Sequence, residues 1–283
     1  MFIAANGIDL WVEVSGPRDG EPLLVISGTG ADLRADVDRD GNPAEHPAVR
    51  AGMRVVRFDQ RGLGQSTKPN EPYSMADYAD DAAELVRALI SSNHIDAGPV
   101  NVVGISFGGM VAQHLTIGHP DLVKRLVLCC TSSGGDGGSS YDLLTLDDAP
   151  EPERSYISAR ISDSRNDPTA IPPFFAPGAK GAAIRGAIAV RLRADDPNGA
   201  VGYRRQLEAR SGHDTWTELP QITSRTLVCG GVFDGQAIPD NQAALSTRIP
   251  NAHLQMFNGG HGFLFQDPEA WPAILRFVQV TGS

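Results

Sequence analysis

Three cysteines in 283 residues, Cys129, Cys130 and Cys229, are too few and odd in number for a disulfide framework. Two of them are neighbours, a spacing that strains disulfide geometry, so all three read as small core residues of a reducing compartment. No stretch approaches the ~20 apolar residues of a membrane helix. Met1–Leu10 (MFIAANGIDL) lacks the basic start and continuous apolar run of a secretory leader. Positive charge is in deficit: 24 Lys and Arg stand against 34 Asp and Glu, a net charge of -10, which excludes the basic face of a general nucleic-acid binder. Metal-ligand spacings are missing, and no G-x-G-x-x-G follows the first strands, so neither metal nor cofactor is expected. What these absences leave is a cytoplasmic, globular protein whose partner is a small molecule rather than nucleic acid or membrane.

Short apolar runs bounded by turn residues alternate with longer helical patterns, the rhythm of βα units and a mostly parallel sheet. Phe2–Ala4 and Leu10–Val14 read as an opening antiparallel pair around the hairpin dipeptide Asn6-Gly7. Further strands are expected at Leu23–Ser27, Met53–Phe58, Val100–Gly104, Leu122–Cys130, Arg225–Gly230 and His253–Phe257. Helical spacing marks Met75–Ile90, with Ser74 as N-cap, then Phe107–Ile117 and Asp267–Val280. Between about Thr131 and Pro220 the strands stop. This stretch opens on TSSGGDGGSS and holds helical patterns around Arg154–Ile161, Lys180–Leu192 and Ala200–Ala209. The organisation expected is therefore a core of residues 1–130 and 221–283 with a helical cap, 131–220, inserted after the sixth strand.

Gly104-Ile-Ser106-Phe-Gly108 fits G-x-S-x-G and lies between an apolar strand and a helical pattern. That context gives the motif its chemistry. A sharp strand-to-helix turn projects the serine hydroxyl above the sheet, and the helix start aims N–H groups at developing negative charge. Asp234 follows the strand TLVCG in a turn, where open α/β sheets place their chemistry. His261 sits in Asn258-Gly-Gly-His261-Gly after the last strand, in a glycine cradle that no other histidine of the chain has. The rival His213-Asp214 lies inside the helical insertion beside Trp216.

With these motifs, and with Ser27-Gly28-Thr29-Gly30 and Asp59-Gln-Arg61-Gly62-Leu-Gly64-Gln-Ser66, the chain resembles the α/β-hydrolase fold family, more narrowly its esterase and lactonase branch. The resemblance implies a central sheet of about eight strands flanked by helices. It implies the order Ser106, Asp234, His261 for nucleophile, acid and base, with backbone N–H groups of Thr29 and Phe107 as the oxyanion hole. A serine nucleophile argues against the haloalkane dehalogenases and epoxide hydrolases of the fold, which use aspartate there. The activity implied is cleavage of a carboxylic ester or lactone through an acyl-enzyme. C–C bond hydrolysis, cofactor-free haloperoxidase chemistry and a non-catalytic small-ligand receptor are the other readings. Asp59 and Arg61 read as structural braces. Phe174, Phe175 and Trp216 are candidates either for an apolar pocket or for packing of the insertion on the core. The many arginines of the insertion read as a solvated face, with an acidic lactone as the substrate should a few of them clamp a carboxylate.

Overall fold

The computed structural model describes residues 1–36, 45–167 and 180–279. Eight strands form one sheet: β1 Phe2–Ala5, β2 Ile8–Ser15, β3 Pro22–Ile26, β4 Arg54–Phe58, β5 Val100–Ile105, β6 Val123–Cys129, β7 Arg225–Gly231 and β8 Ala252–Phe257. Their order is β1-β2-β4-β3-β5-β6-β7-β8. Only the β1–β2 and β2–β4 pairings are antiparallel; from β4 to β8 every neighbour is parallel. The opening hairpin turns at Asn6 and Gly7, both at positive φ, which two-residue turns between twisted strands require.

Because the inner parallel strands β3, β5, β6 and β7 are covered on both faces, they read as largely apolar runs rather than as alternation. Leu24, Ile26, Val56, Val102, Leu126 and Val228 point into one core with helices α2 (Met75–Ser91) and α3 (Phe107–Gly118). Leu23, Val25, Val55, Val103, Val127 and Leu227 point into the other. That second core packs on the chain's last helices. These are numbered after α1 (Pro47–Arg50), α4 (Leu143–Asp147), α5 (Glu153–Ser162), α6 (Lys180–Ala194), α7 (Gly199–Ser211) and α8 (Pro239–Arg248) as α9 (Phe263–Gln266) and α10 (Ala270–Gln279). Ser74 caps α2 with a reciprocal box: its hydroxyl accepts from the Asp77 N–H and the Asp77 carboxylate accepts from the Ser74 N–H.

Element boundaries differ from the sequence reading for local reasons. β6 is shorter than Leu122–Cys130 because Leu122 closes a 3-10 turn and Cys130 takes a positive φ. The last helix starts at Ala270 rather than Asp267, since the Asp267 carboxylate turns back to accept from the Glu269 N–H. Helices α1, α4, α8 and α9 are additions. The three cysteines are buried and free. No helix among the described residues is long and apolar enough to cross a membrane.

The Asp59–Ser66 turn is a brace, as its residues suggested. Asp59 is buried and accepts from the Leu33 and Gln65 N–H groups. Arg61 makes a two-pronged bond to Asp81 of α2, at 2.6 and 2.5 Å, with both side chains under 10% exposed. Removing one partner strands a buried charge. Asp81→Ala should therefore lower unfolding free energy by about 3–5 kcal/mol in a denaturant titration. A loss under ~1 kcal/mol would show that the pair is not a brace.

Candidate active site

Ser106 occupies the turn between β5 and α3 with φ 54 and ψ -115. Such a conformation costs a side-chain-bearing residue about 1–3 kcal/mol, so the surroundings must hold it. They do so through close backbone approach. A Cβ on Gly108 would stand 2.0 Å from the Ile26 carbonyl oxygen, and one on Gly104 2.4 Å from the Gly108 carbonyl oxygen. Glycine is thus demanded at both ends of the motif by space, and the helix start is pressed against the sheet. The Ser106 N–H donates to the Cys129 carbonyl at 2.8 Å.

The structure brings Ser106, His261 and Asp234 together. His261 Nε2 lies 2.9 Å from Ser106 Oγ, and His261 Nδ1 lies 2.8 Å from Asp234 Oδ2. The other Asp234 oxygen accepts from the backbone N–H groups of Gln236 and Ala237. With its side chain fully buried, this carboxylate has every strong contact committed. The ring tautomer follows: Nδ1 carries the proton donated to Asp234, which leaves Nε2 as the acceptor facing the serine.

The loops carrying Asp234 and His261 are tied to the end of α5. The Gly235 N–H donates to the Ile161 carbonyl and the His261 N–H to the Ser162 carbonyl, the latter at 2.7 Å. Asp163 continues the brace, accepting from Gln266, whose own Oε1 accepts from the Gly260 N–H. Asp163, Gln236 and Gln266 went unnoticed in the sequence. Each is an ordinary polar residue whose role exists only through its tertiary neighbours.

Phe107 follows the serine at the start of α3, and Thr29 lines the same cavity as the serine. Neither backbone N–H has an acceptor among the described residues. The Thr29 loop is held by two side-chain hydrogen bonds. Gly30 N–H donates to Gln206 Oε1 of α7, and the Gln60 amide donates to the Ser27 carbonyl. Above the serine lies a cavity of about 990 Å³. Thr29, Gln236 and His261 line it from the sheet side; Leu143, Ser162, Ala189 and Tyr203, from the helices between β6 and β7, line it from above.

The structure decides between several open readings. Trp216 does not line this cavity; it stacks on Arg248 and packs against the core that holds α2 and α3. Phe174 and Phe175 lie outside the described residues. The arginines are less solvated than their density suggested. Arg165 stacks on Phe233, Arg193 on Tyr203, and Arg210 is buried, its guanidinium pulled down to about 10 by that burial. Of the nine arginines in the insertion, only Arg185 reaches the cavity among the described residues. His213-Asp214 is not a catalytic pair. His213 Nε2 faces the Ser132 carbonyl at 2.9 Å and its Nδ1 faces His114.

Among the described residues, one group of potential metal ligands lies close enough to share an ion: Cys130, Asp234 and His261, within 4.8 Å of one another. Two of the three already bond each other, and burial pushes the Cys130 thiol up, away from the thiolate a metal requires.

The sequence model of the alpha/beta hydrolase fold matches residues 21–165, half of the chain. The chain belongs to the α/β hydrolase fold family. Within this family it is similar to a poly(3-hydroxyalkanoate) depolymerase of Ectopseudomonas oleovorans, 30% identical over 91% of this chain and 84% of that one. It is also similar to a non-heme chloroperoxidase of Streptomyces lividans, 28% identical over 97% and 98% of the two chains. The enol-lactonase of Burkholderia xenovorans LB400 shares the fold, with a TM-score of 0.71 at 21% identity over 98% of both chains.

Burial holds His46 and His213 neutral, each ring's pKa pushed down to about 3 from 6.5. The unfolded chain takes up those protons first. The stability these rings contribute is therefore complete above about pH 6.5 and is lost as the pH falls toward 3. Asp59, raised to about 6 by burial, works with the opposite sign between about pH 4 and 6, so wild type and variant must be compared at both ends. Chemical denaturation at pH 7 and pH 4.5 should show a smaller loss for His213→Gln than for wild type. Equal losses would mean that His213 does not resist protonation.

Proposed function

We propose that the protein is a serine hydrolase that cleaves a carboxylic ester or lactone of a small molecule through an acyl-enzyme. The observation that carries this reading is the continuous chain from Ser106 Oγ through His261 to buried Asp234. Beside it stand two N–H groups without acceptors among the described residues.

A serine hydroxyl is a weak nucleophile at neutral pH and needs a base in contact. In the proposed reaction His261 Nε2 takes the Ser106 proton as Oγ bonds to the substrate carbonyl carbon. Asp234 holds the ring in the tautomer that leaves Nε2 bare, then stabilises the imidazolium. The carbonyl oxygen gains negative charge opposite the Thr29 and Phe107 N–H groups, each donor of this kind lowering the barrier by about 3–4 kcal/mol. The start of α3 adds its dipole with the same sign. Collapse breaks the bond to the alcohol oxygen, which leaves with the proton from His261 Nε2. Water then gives a proton to His261 and its oxygen to the acyl carbon, freeing the acid and restoring Ser106.

Residues 131–220 act in this reading as a lid over a core of 1–130 and 221–283, since their helices form the upper cavity wall. A cavity near the top of the small-ligand range, roughly 300–1,000 Å³, suits a small molecule. The names of two similar proteins, the depolymerase of a poly(3-hydroxyalkanoate) and the enol-lactonase, favour ester and lactone chemistry. Similarity to the chloroperoxidase over nearly the whole chain carries the second reading, haloperoxidase-type chemistry on the same serine.

The test is turnover of p-nitrophenyl acetate and butyrate, together with labelling by a fluorophosphonate. Wild type should turn over and label at one site; Ser106→Ala should lose labelling and at least about a thousandfold in kcat. A folded wild type that neither labels nor turns over would overturn the reading. Peroxide-dependent halide oxidation without ester turnover would favour the second one.

A further inference from the structure

The amide of Gln236 stands where a leaving group must stand. Its Nε2 is 2.8 Å from His261 Nε2 and 3.4 Å from Ser106 Oγ. In acyl transfer the departing oxygen is bonded to the same tetrahedral carbon as the serine oxygen and takes its proton from the base. It therefore occupies a point near both atoms, which is the point the amide fills. The water that later attacks the acyl group uses the same place.

The direction of the contact follows from proton accounting. His261 Nδ1 donates to Asp234, so Nε2 of the neutral ring has a bare lone pair and Gln236 is the donor. The Ser106 hydroxyl competes for that one lone pair from 2.9 Å. When His261 takes the serine proton, its Nε2–H and the amide N–H become two donors facing each other, and the amide must swing away. Its backbone need not move: the Gln236 N–H is held by Asp234 and its carbonyl by the Tyr141 N–H, while the half-buried side chain borders the cavity.

We propose that Gln236 is a displaceable stopper in the leaving-group seat, an inference that rests on the serine-hydrolase reading above. In the resting protein it occupies the base, and each acylation must break that contact. An ester whose alcohol portion fills the seat replaces the amide; a leaving group too small to fill it does not. Gln236 thereby sets a preference for the alcohol side of the substrate.

The experiment measures the second-order rate of Ser106 labelling by a small fluorophosphonate, whose fluoride cannot fill the seat. Wild type, Gln236→Ala and the near-isosteric Gln236→Met are compared, each with its thermal midpoint. Both variants should label about fivefold faster, the equivalent of the ~1 kcal/mol net value of one neutral hydrogen bond. For methyl and butyl esters of one acid, both variants should also show a smaller butyl preference in kcat/KM. Disruption of the site would slow labelling, so a gain separates the stopper from a structural role. Labelling of both variants at or below the wild-type rate would overturn the proposal while leaving the hydrolase reading intact. Failure of the wild type to label at Ser106 would instead remove the hydrolase reading, and the stopper with it.

Discussion

Where α3 begins, its backbone lies against the carbonyl ends of β3 and β5 with no room for a side chain on Gly104 or Gly108. The rest of the site depends on this contact. It forces Ser106 into a conformation that L-residues avoid, which lifts the hydroxyl off the sheet. The strain is affordable because the contact is embedded between two cores, one on each face of a sheet that is parallel across six of its strands.

Around that fixed point, Asp234 and His261 arrive on loops after β7 and β8 and are fastened from outside the sheet. Ile161 and Ser162, at the end of α5, accept from the two loops, and Asp163 and Gln266 hold the His261 loop from the side. The helices between β6 and β7 thus do more than line the cavity. Their first half fastens the Asp234 and His261 loops, and Gln206 of α7 fixes the loop that carries Thr29. A movement of these helices would change the Ser106–His261–Asp234 geometry and the cavity shape together.

The inner parallel strands were legible because a doubly covered strand leaves an apolar run between turn residues, and the opening pair because Asn6-Gly7 marks a hairpin; all eight were found near their observed limits. Ser106, Asp234 and His261 were legible because each sits at a strand end with glycine neighbours, a local signal for close backbone approach. α8 was not, since its buried side includes Asn241 and Gln242 beside Leu245 and gives little apolar periodicity. The place of Trp216 stayed open because an aromatic in a helical insertion carries no mark of whether it faces a cavity or a core. Gln236 was illegible for a deeper reason. Its role depends on one side-chain torsion aimed at a histidine 25 residues away.

The central claim is that a covalent acyl group forms on Ser106 during turnover. Its most direct test is acid quenching of the protein early in a reaction with p-nitrophenyl butyrate, followed by intact-mass and peptide mass spectrometry. The account predicts a mass gain of one butyryl group, located on Ser106 and absent from Ser106→Ala. Turnover by wild type with the butyryl group on another residue would contradict it.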